Sequence, residues 1–285
     1  ASGPGHRLPD ALRESSGLAW SPDQAGVLWS HNDSGHRSEI YAIDTEGALL
    51  ARIPLAGARN RDWEDMATGR CEAGACIYLA DTGDNGENRR RVWLYRVEEP
   101  FVLRAAEGQA DTASAPAHSL APVEADGSRI ELPDGPRDIE AMFVLPGEAV
   151  YFVTKGRRHP VTVYRYPLPL QPETVTLEFV QTLSDRELPL YRQVTGADAS
   201  PDGRTVVIRT YQSLAFYRVV DGMLVPVEGG DVSLWQVGEA QGEGVALGQD
   251  GTVALSSEAG SFGGTQSLNF LDCTDLITTQ EGHSP

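Results

Sequence analysis

Lysine is almost missing from this chain: Lys155 stands alone among 285 residues, against 22 arginines. Positive charge as a whole is scarce. Lys and Arg total 23 against 41 Asp and Glu, which gives a formal net charge of -18 and a pI near 4.6. A balance that acidic offers no long-range attraction to nucleic acid or to an anionic membrane surface, and argues against both as partners. It favours cations, or small anions captured at a local basic site. No apolar run is long enough to cross a bilayer. No segment carries a sustained helical period. Phosphate-binding Gly-Lys loops, Gly-x-Ser-x-Gly elbows and His-Glu-x-x-His pairs are also missing, so the familiar routes to nucleotide binding, serine hydrolysis and zinc proteolysis have no signature here.

Cysteine is scarce too, with three copies. Cys71 and Cys76 have four residues between them, a spacing that a β-turn can bridge, and no second cysteine pair supports a zinc site. A disulfide between them is therefore expected, leaving Cys273 as a small buried residue. The chain starts Ala-Ser-Gly-Pro-Gly without methionine, which reads as a processed end. Disulfide and processed start together predict a secreted or periplasmic protein whose signal peptide has been removed.

What the chain has in quantity is β-prone segments and one recurring motif. The copies are Glu14-Ser-Ser-Gly-Leu-Ala, Asp62-Trp-Glu-Asp-Met-Ala, Asp138-Ile-Glu-Ala-Met-Phe, Val194-Thr-Gly-Ala-Asp and Gly242-Glu-Gly-Val-Ala. Each sets one oxygen-bearing residue before a short apolar run. Those residues are Ser16, Glu64, Glu140, Thr195 and Glu243, spaced by 48, 76, 55 and 48 positions. After each copy come a turn, a short apolar strand such as Val27-Leu-Trp or Val150-Tyr-Phe-Val, and one or two strands more. Four strands in each of five repeats predict a single all-β domain over 1–285, a five-bladed β-propeller with four-stranded antiparallel blades. The blades are expected near 14–58, 61–133, 137–190, 193–236 and 240–279. Residues 105–127, rich in Ala, Pro, Glu and Ser, read as a surface insertion. A terminal strand must close the ring, and residues 8–12 are the candidate.

Equivalent positions of a propeller meet around its axis. Three carboxylates and two hydroxyls brought together there would repel unless a cation sat between them. Taken singly, each reads as a strand-start side chain bonding a neighbouring N–H; the shared register is what makes them a ring. With no Cys or His among them, the donors suit Ca²⁺, or Mg²⁺ where waters complete an octahedron. The predicted metal ligands are Ser16, Glu64, Glu140, Thr195 and Glu243. Asp198, three positions past Thr195, is placed to supply the charge Thr195 lacks. The end of each second strand should lie beside the start of the first. This sets Asp33, Asp81, Lys155, Arg209 and residues 256–258 around the same mouth. Two acids facing two bases beside a metal suit hydrolysis of a phosphate ester, so Asp33, Asp81, Lys155 and Arg209 are the predicted catalytic residues. His31 is a further acid–base candidate. Trp63, beside Glu64, is a candidate for ligand stacking, while the other tryptophans read as blade packing. Asp81-Thr-Gly-Asp-Asn-Gly-Glu matches part of an EF-hand loop but lacks its final glutamate.

The Ser, Glu, Glu, Thr, Glu ring, with Ser16-Gly-Leu, Asp62-Trp-Glu, Ile139-Glu-Ala, Gly242-Glu-Gly and the acidic turn Asn32-Asp-Ser-Gly, resembles the calcium-activated nucleotidases, the soluble apyrases. The chain also looks like bacterial secreted propellers of the "esterase-like activity of phytase" type. The first resemblance implies a secreted five-bladed propeller with a central calcium. Two functions stay open on these residues: a calcium-dependent phosphohydrolase or esterase working at the channel mouth, or a non-catalytic binding propeller whose calcium ties the blades together. Either would be a monomer with a small-molecule ligand or substrate.

Overall fold

A computed structural model describes residues 5–72, 74–102, 118–147, 149–260 and 264–278. Five antiparallel-dominated sheets form the blades of a propeller. Their inner strands are Ser15–Trp20, Trp63–Cys71, Ile139–Leu145, Val194–Ala199 and Gln241–Leu247. From each, the chain steps outward through neighbouring antiparallel strands, as β-prone runs separated by tight turns dictate. The ring closes when His6–Arg7 pairs antiparallel with Ser267–Asp272 of the fifth blade. The closing strand thus lies just before the expected residues 8–12. Leu8 and Leu12 instead pack into the joint between the first and fifth blades, with Leu18, Ile43, Ala246 and Leu268.

The apolar core is a ring of five clusters, one in each joint between neighbouring blades. Inner faces therefore bury apolar side chains on both sides of every sheet, and what remains along the axis is the polar edge of the inner strands. Two blades exceed four strands. His118–Ser119 and Val123–Glu124 run parallel along Leu49–Ala56 at the rim of the first blade. Val175–Thr176 does the same on Asp126–Glu131 of the second. Such additions cover edges that would otherwise present unpaired backbone groups. The C-terminal part of the expected insertion is accordingly edge strand, and residues 105–117 lie outside the described residues.

Cys71 and Cys76 are disulfide-bonded across the hairpin of the second blade, and Cys273 is a buried free thiol. The closed loop is short, so the bond adds only ~2 kcal/mol by the chain-entropy relation. Thiol titration of the unfolded, unreduced protein should count one group; a count of three would refute the bond. Among the described residues no helix is long and apolar enough to cross a membrane.

Candidate cation site at the channel mouth

The five motif residues share one backbone feature. In every blade the register between the inner and second strand slips at the motif: between Ser15 and Leu18, Trp63 and Asp65, Ile139 and Ala141, Val194 and Gly196, and Gly242 and Val245. Ser16, Glu64, Glu140, Thr195 and Glu243 each fall in the gap. A bulge leaves its extra residue unpaired and re-aims the side chain. Five bulges at equivalent positions free five residues from the ladder, and the carboxylates of Glu64, Glu140 and Glu243 come close enough to act on one another. Small neighbours permit the approach: a Cβ on Gly196 would come within 2.7 Å of the Glu243 carbonyl oxygen, and one on Gly244 within 2.7 Å of that of Ser16.

The two hydroxyls are occupied by the next blade. Ser16 Oγ donates to the Glu64 carbonyl at 2.6 Å, and Thr195 Oγ1 to the Glu243 carbonyl at 3.3 Å. They stitch blade one to two and four to five. The glutamates carry the charge. Burial first, then Glu140 and Asp33, pushes Glu64 well above the usual carboxylate range. Burial raises Glu140 to about 8 despite Lys155, and Glu243 to about 8 despite a 2.9 Å hydrogen bond from Gln241.

Carboxylates converge most closely to one side of the axis, over the first three blades. One oxygen from each of Asp33, Asp62 and Glu64 lies within 4.8 Å of the other two, and the same holds for Glu64, Asp138 and Glu140. Glu64 belongs to both groups. Lys155 occupies the second: its Nζ lies 2.6 Å from Glu140 Oε1 and 3.9 Å from Asp138 Oδ2. Burial opposes the ammonium charge, but Glu140, with Tyr211, Glu64 and Asp138, holds it well above the usual lysine range. The first group holds no basic side chain. Asp33 is raised by burial and then, against the Ser34 amide, by Asp62 and Glu14. Asp62 is raised by burial and by Asp138, with Arg89 opposing. Hard oxygen donors, mutual repulsion and only two basic groups for five carboxylates, Lys155 and an Arg157 whose Nη2 lies 3.5 Å from Asp138 Oδ2, fit a divalent hard cation.

Other predicted positions play different parts. Asp81 is buried, and its Oδ1 accepts from the Asp62 N–H at 3.0 Å and from Arg89 Nη2 at 3.0 Å. It positions the loop that carries Asp62. Arg209 corrects the phosphate-clamp expectation: it is fully buried, with Nη1 donating to Gly244 O at 2.6 Å and Ser256 O at 3.1 Å, and Nη2 paired with Glu239. An arginine long enough to reach the mouth is here folded back between blades four and five. Lys155 likewise sits among the acids rather than across from them. Asp198 leaves the ring altogether; its oxygens accept from the Ala199 and Leu247 amides, both at 2.8 Å. His31 is buried behind the first blade, edge-on to Trp63, and burial lowers it to about 4. Trp63 is itself fully buried and cannot stack on a ligand. The EF-hand-like stretch is a turn closed by Arg89, whose N–H and Nη1 bond Asp84 Oδ2 and Gly83 O, each at 2.6 Å.

Three participants were missed. Asp62 and Asp138, which stand two positions before Glu64 and Glu140 in their motif copies, were not among the predicted ligands. Trp235, read as blade packing, is 76% exposed and lines a cleft beside the mouth with Tyr211.

No family model matches the chain, and no curated protein does. Solved propellers align along most of it. A gluconolactonase from Xanthomonas campestris has 15% identity over 92% of this chain and 77% of its own, with a TM-score of 0.46. A candidate 6-phosphogluconolactonase from Bacteroides uniformis has 15% identity over 93% and 72%, with a TM-score of 0.42. Similarity at that level bears on neither the activity nor the substrate of this chain.

Proposed function

We propose that the chain is a divalent-cation-dependent hydrolase of esters, with the ion held by Asp33, Asp62 and Glu64. The observation that carries the reading is the asymmetry of this group. Glu64 closes its inner side and is 8% exposed, while Asp33 and Asp62 are only half-buried and face the mouth. A purely structural ion is enclosed by protein oxygens, whereas a catalytic one keeps a side open to solvent and substrate. Ca²⁺ is the ion these donors favour, because its coordination number tolerates an irregular set of carboxylates.

When bound, the cation polarises the ester oxygen and offsets the negative charge of the mouth. Asp33 takes a proton from water, whose oxygen adds to the ester carbon. The carbon–alkoxide bond then breaks, and the proton passes from Asp33 to the leaving alkoxide, giving acid and alcohol. Asp81 holds the Asp62 loop, and Lys155 offsets part of the burial that pushes Glu140 up beside Glu64. A carboxylic ester fits better than a phosphate ester, because Arg209 and Lys155 have their donors engaged within the protein. The disulfide supports an exterior compartment, and we extend the proposal to a secreted or periplasmic monomer.

The test is turnover of carboxylic, lactone and phosphate esters with calcium and with excess chelator. Asp33→Asn should lower kcat by ~10²-fold or more at saturating calcium, the usual worth of a general base. Because Asp33 is also a ligand, the variant should bind calcium more weakly, while without calcium its fold should be no less stable than wild type. If no ester is turned over while calcium still binds, the protein is an ion-binding propeller without chemistry.

A further inference from the structure

Blades four and five part beside the mouth, leaving a cleft of about 560 Å³. That lies within the ~300–1,000 Å³ typical of small-molecule sites. Its walls bring three exposed large apolar side chains together. Trp235 is 76% exposed, Leu190 68% and Tyr191 49%, and all three line it. An indole left so open on a soluble β-protein loses burial energy unless something covers it.

Charge narrows the ligand. Glu239 is the one ionisable acid or base other than tyrosine among the lining residues, and the Arg209 guanidinium behind the wall neutralises it. Neither an anion nor a cation has a free counter-charge there. Polar groups are still present: the exposed side-chain amide of Gln212, the hydroxyls of Tyr191 and Tyr211, and Gln241 at the floor. Aromatic faces flanked by amides and hydroxyls suit a ring with apolar C–H faces and a polar rim. Tyr211 joins the cleft to the mouth. Its ring lines the cleft, while Glu243, Lys155, Glu140 and Glu64 are all close enough to act on its hydroxyl. Gln241 makes the same link, donating to Glu243 Oε1 at 2.9 Å and Glu258 Oε1 at 3.3 Å.

We propose that the cleft lined by Trp235, Tyr191 and Tyr211 is a subsite for an uncharged sugar ring, which makes the substrate an ester of a neutral sugar. The ester half of that statement rests on the hydrolase reading above; the sugar half rests on the cleft alone. The ring would lie on the Trp235 face, with Gln212 and the tyrosine hydroxyls on its edge, and the ester would extend past Tyr211 toward Asp33.

Trp235 is the most exposed of the large apolar residues among those described, so it supplies most of the quencher-accessible tryptophan emission. The experiment follows acrylamide quenching while methyl glucoside, methyl galactoside, adenosine or a short alkyl ester is added, each with calcium and with chelator. Calorimetry of the same additions gives an affinity independent of fluorescence. Expected are protection of the accessible emission by at least one glycoside in both media, and a loss of about tenfold or more in affinity for Trp235→Ala. Tyr191→Ala should weaken binding less. Both side chains are exposed enough for their variants to fold, which a thermal melt verifies. Protection by adenosine or the alkyl ester and not by any glycoside overturns the sugar assignment, and so does absence of protection by any probe. Glycoside binding without turnover of sugar esters would sink the hydrolase reading and leave the subsite. Turnover of simple esters without glycoside binding would do the reverse.

Discussion

Asp65→Ala should be the most damaging single substitution in the channel, destabilising the protein by at least ~3 kcal/mol. Asp65 stands next to Glu64 but points away from the mouth. Its Oδ1 accepts from its neighbour Met66 N–H at 2.8 Å. Its Oδ2 accepts from Met142 N–H at 2.8 Å and Ala197 N–H at 3.1 Å. One carboxylate thus joins the inner strands of blades two, three and four, across sequence separations of 77 and 132 residues. Burial lifts it well above the usual carboxylate range, against the pull of all three amides. Removing it strands three buried donors, and each unsatisfied amide costs roughly 1–3 kcal/mol. The relief of a desolvated charge offsets part of that. Asp65→Asn should fall between, because its NH₂ group can replace only one acceptor oxygen and would face a donor. Urea unfolding measures the outcome through the midpoint at constant slope. A shift of under about 1 kcal/mol for the alanine variant would show that the staple is not energetically important.

The staple also shows where sequence reasoning stops. Five motif copies, each followed by a turn and a β-prone run, were enough to read inner strands and a five-bladed ring, because periodicity is a property of the chain itself. The bulge at each copy was not legible. It inserts a residue into the ladder without any spacing that distinguishes Glu64 from Asp65. One of those neighbours faces the mouth, and the other binds three amides along the channel wall. Arg209 failed for a related reason. Its position after the motif matched that of Lys155, but nothing in a local pattern tells whether a long cation reaches solvent or turns back to cap the carbonyls of Gly244 and Ser256. Trp235 shares its composition signal with Trp29, which is fully buried, and only the packing of blades four and five leaves the first exposed.

Removing the cation should make stability depend steeply on pH. In unfolded chains a glutamate titrates near 4.5, whereas burial places Glu140 and Glu243 at about 8 and Glu258 at about 7 in the fold. Between those limits the native state holds more protons than the unfolded state, so stability falls as pH rises. The protonated carboxyls give their full contribution below about 4.5 and lose it as pH passes through about 8. Each pKa unit corresponds to ~1.4 kcal/mol. Lys155 does not reverse the trend, because its ammonium stays charged across the whole window. A bound cation favours the ionised carboxylates, and at 100 times Kd it restores about 2.7 kcal/mol. The expected result is a melting temperature that drops from pH 5 to pH 8 in chelator and drops much less in calcium. Glu64→Gln gives a crossing that a general loss of packing would not. Without calcium at pH 8 it should melt above wild type, because the amide removes a group whose ionised form burial, Glu140 and Asp33 all disfavour. With calcium it should melt below, because a shared ligand of both carboxylate groups has been lost. Equal melting of the wild type in calcium and in chelator at pH 8 would reject the cation site, and with it the hydrolase built upon it.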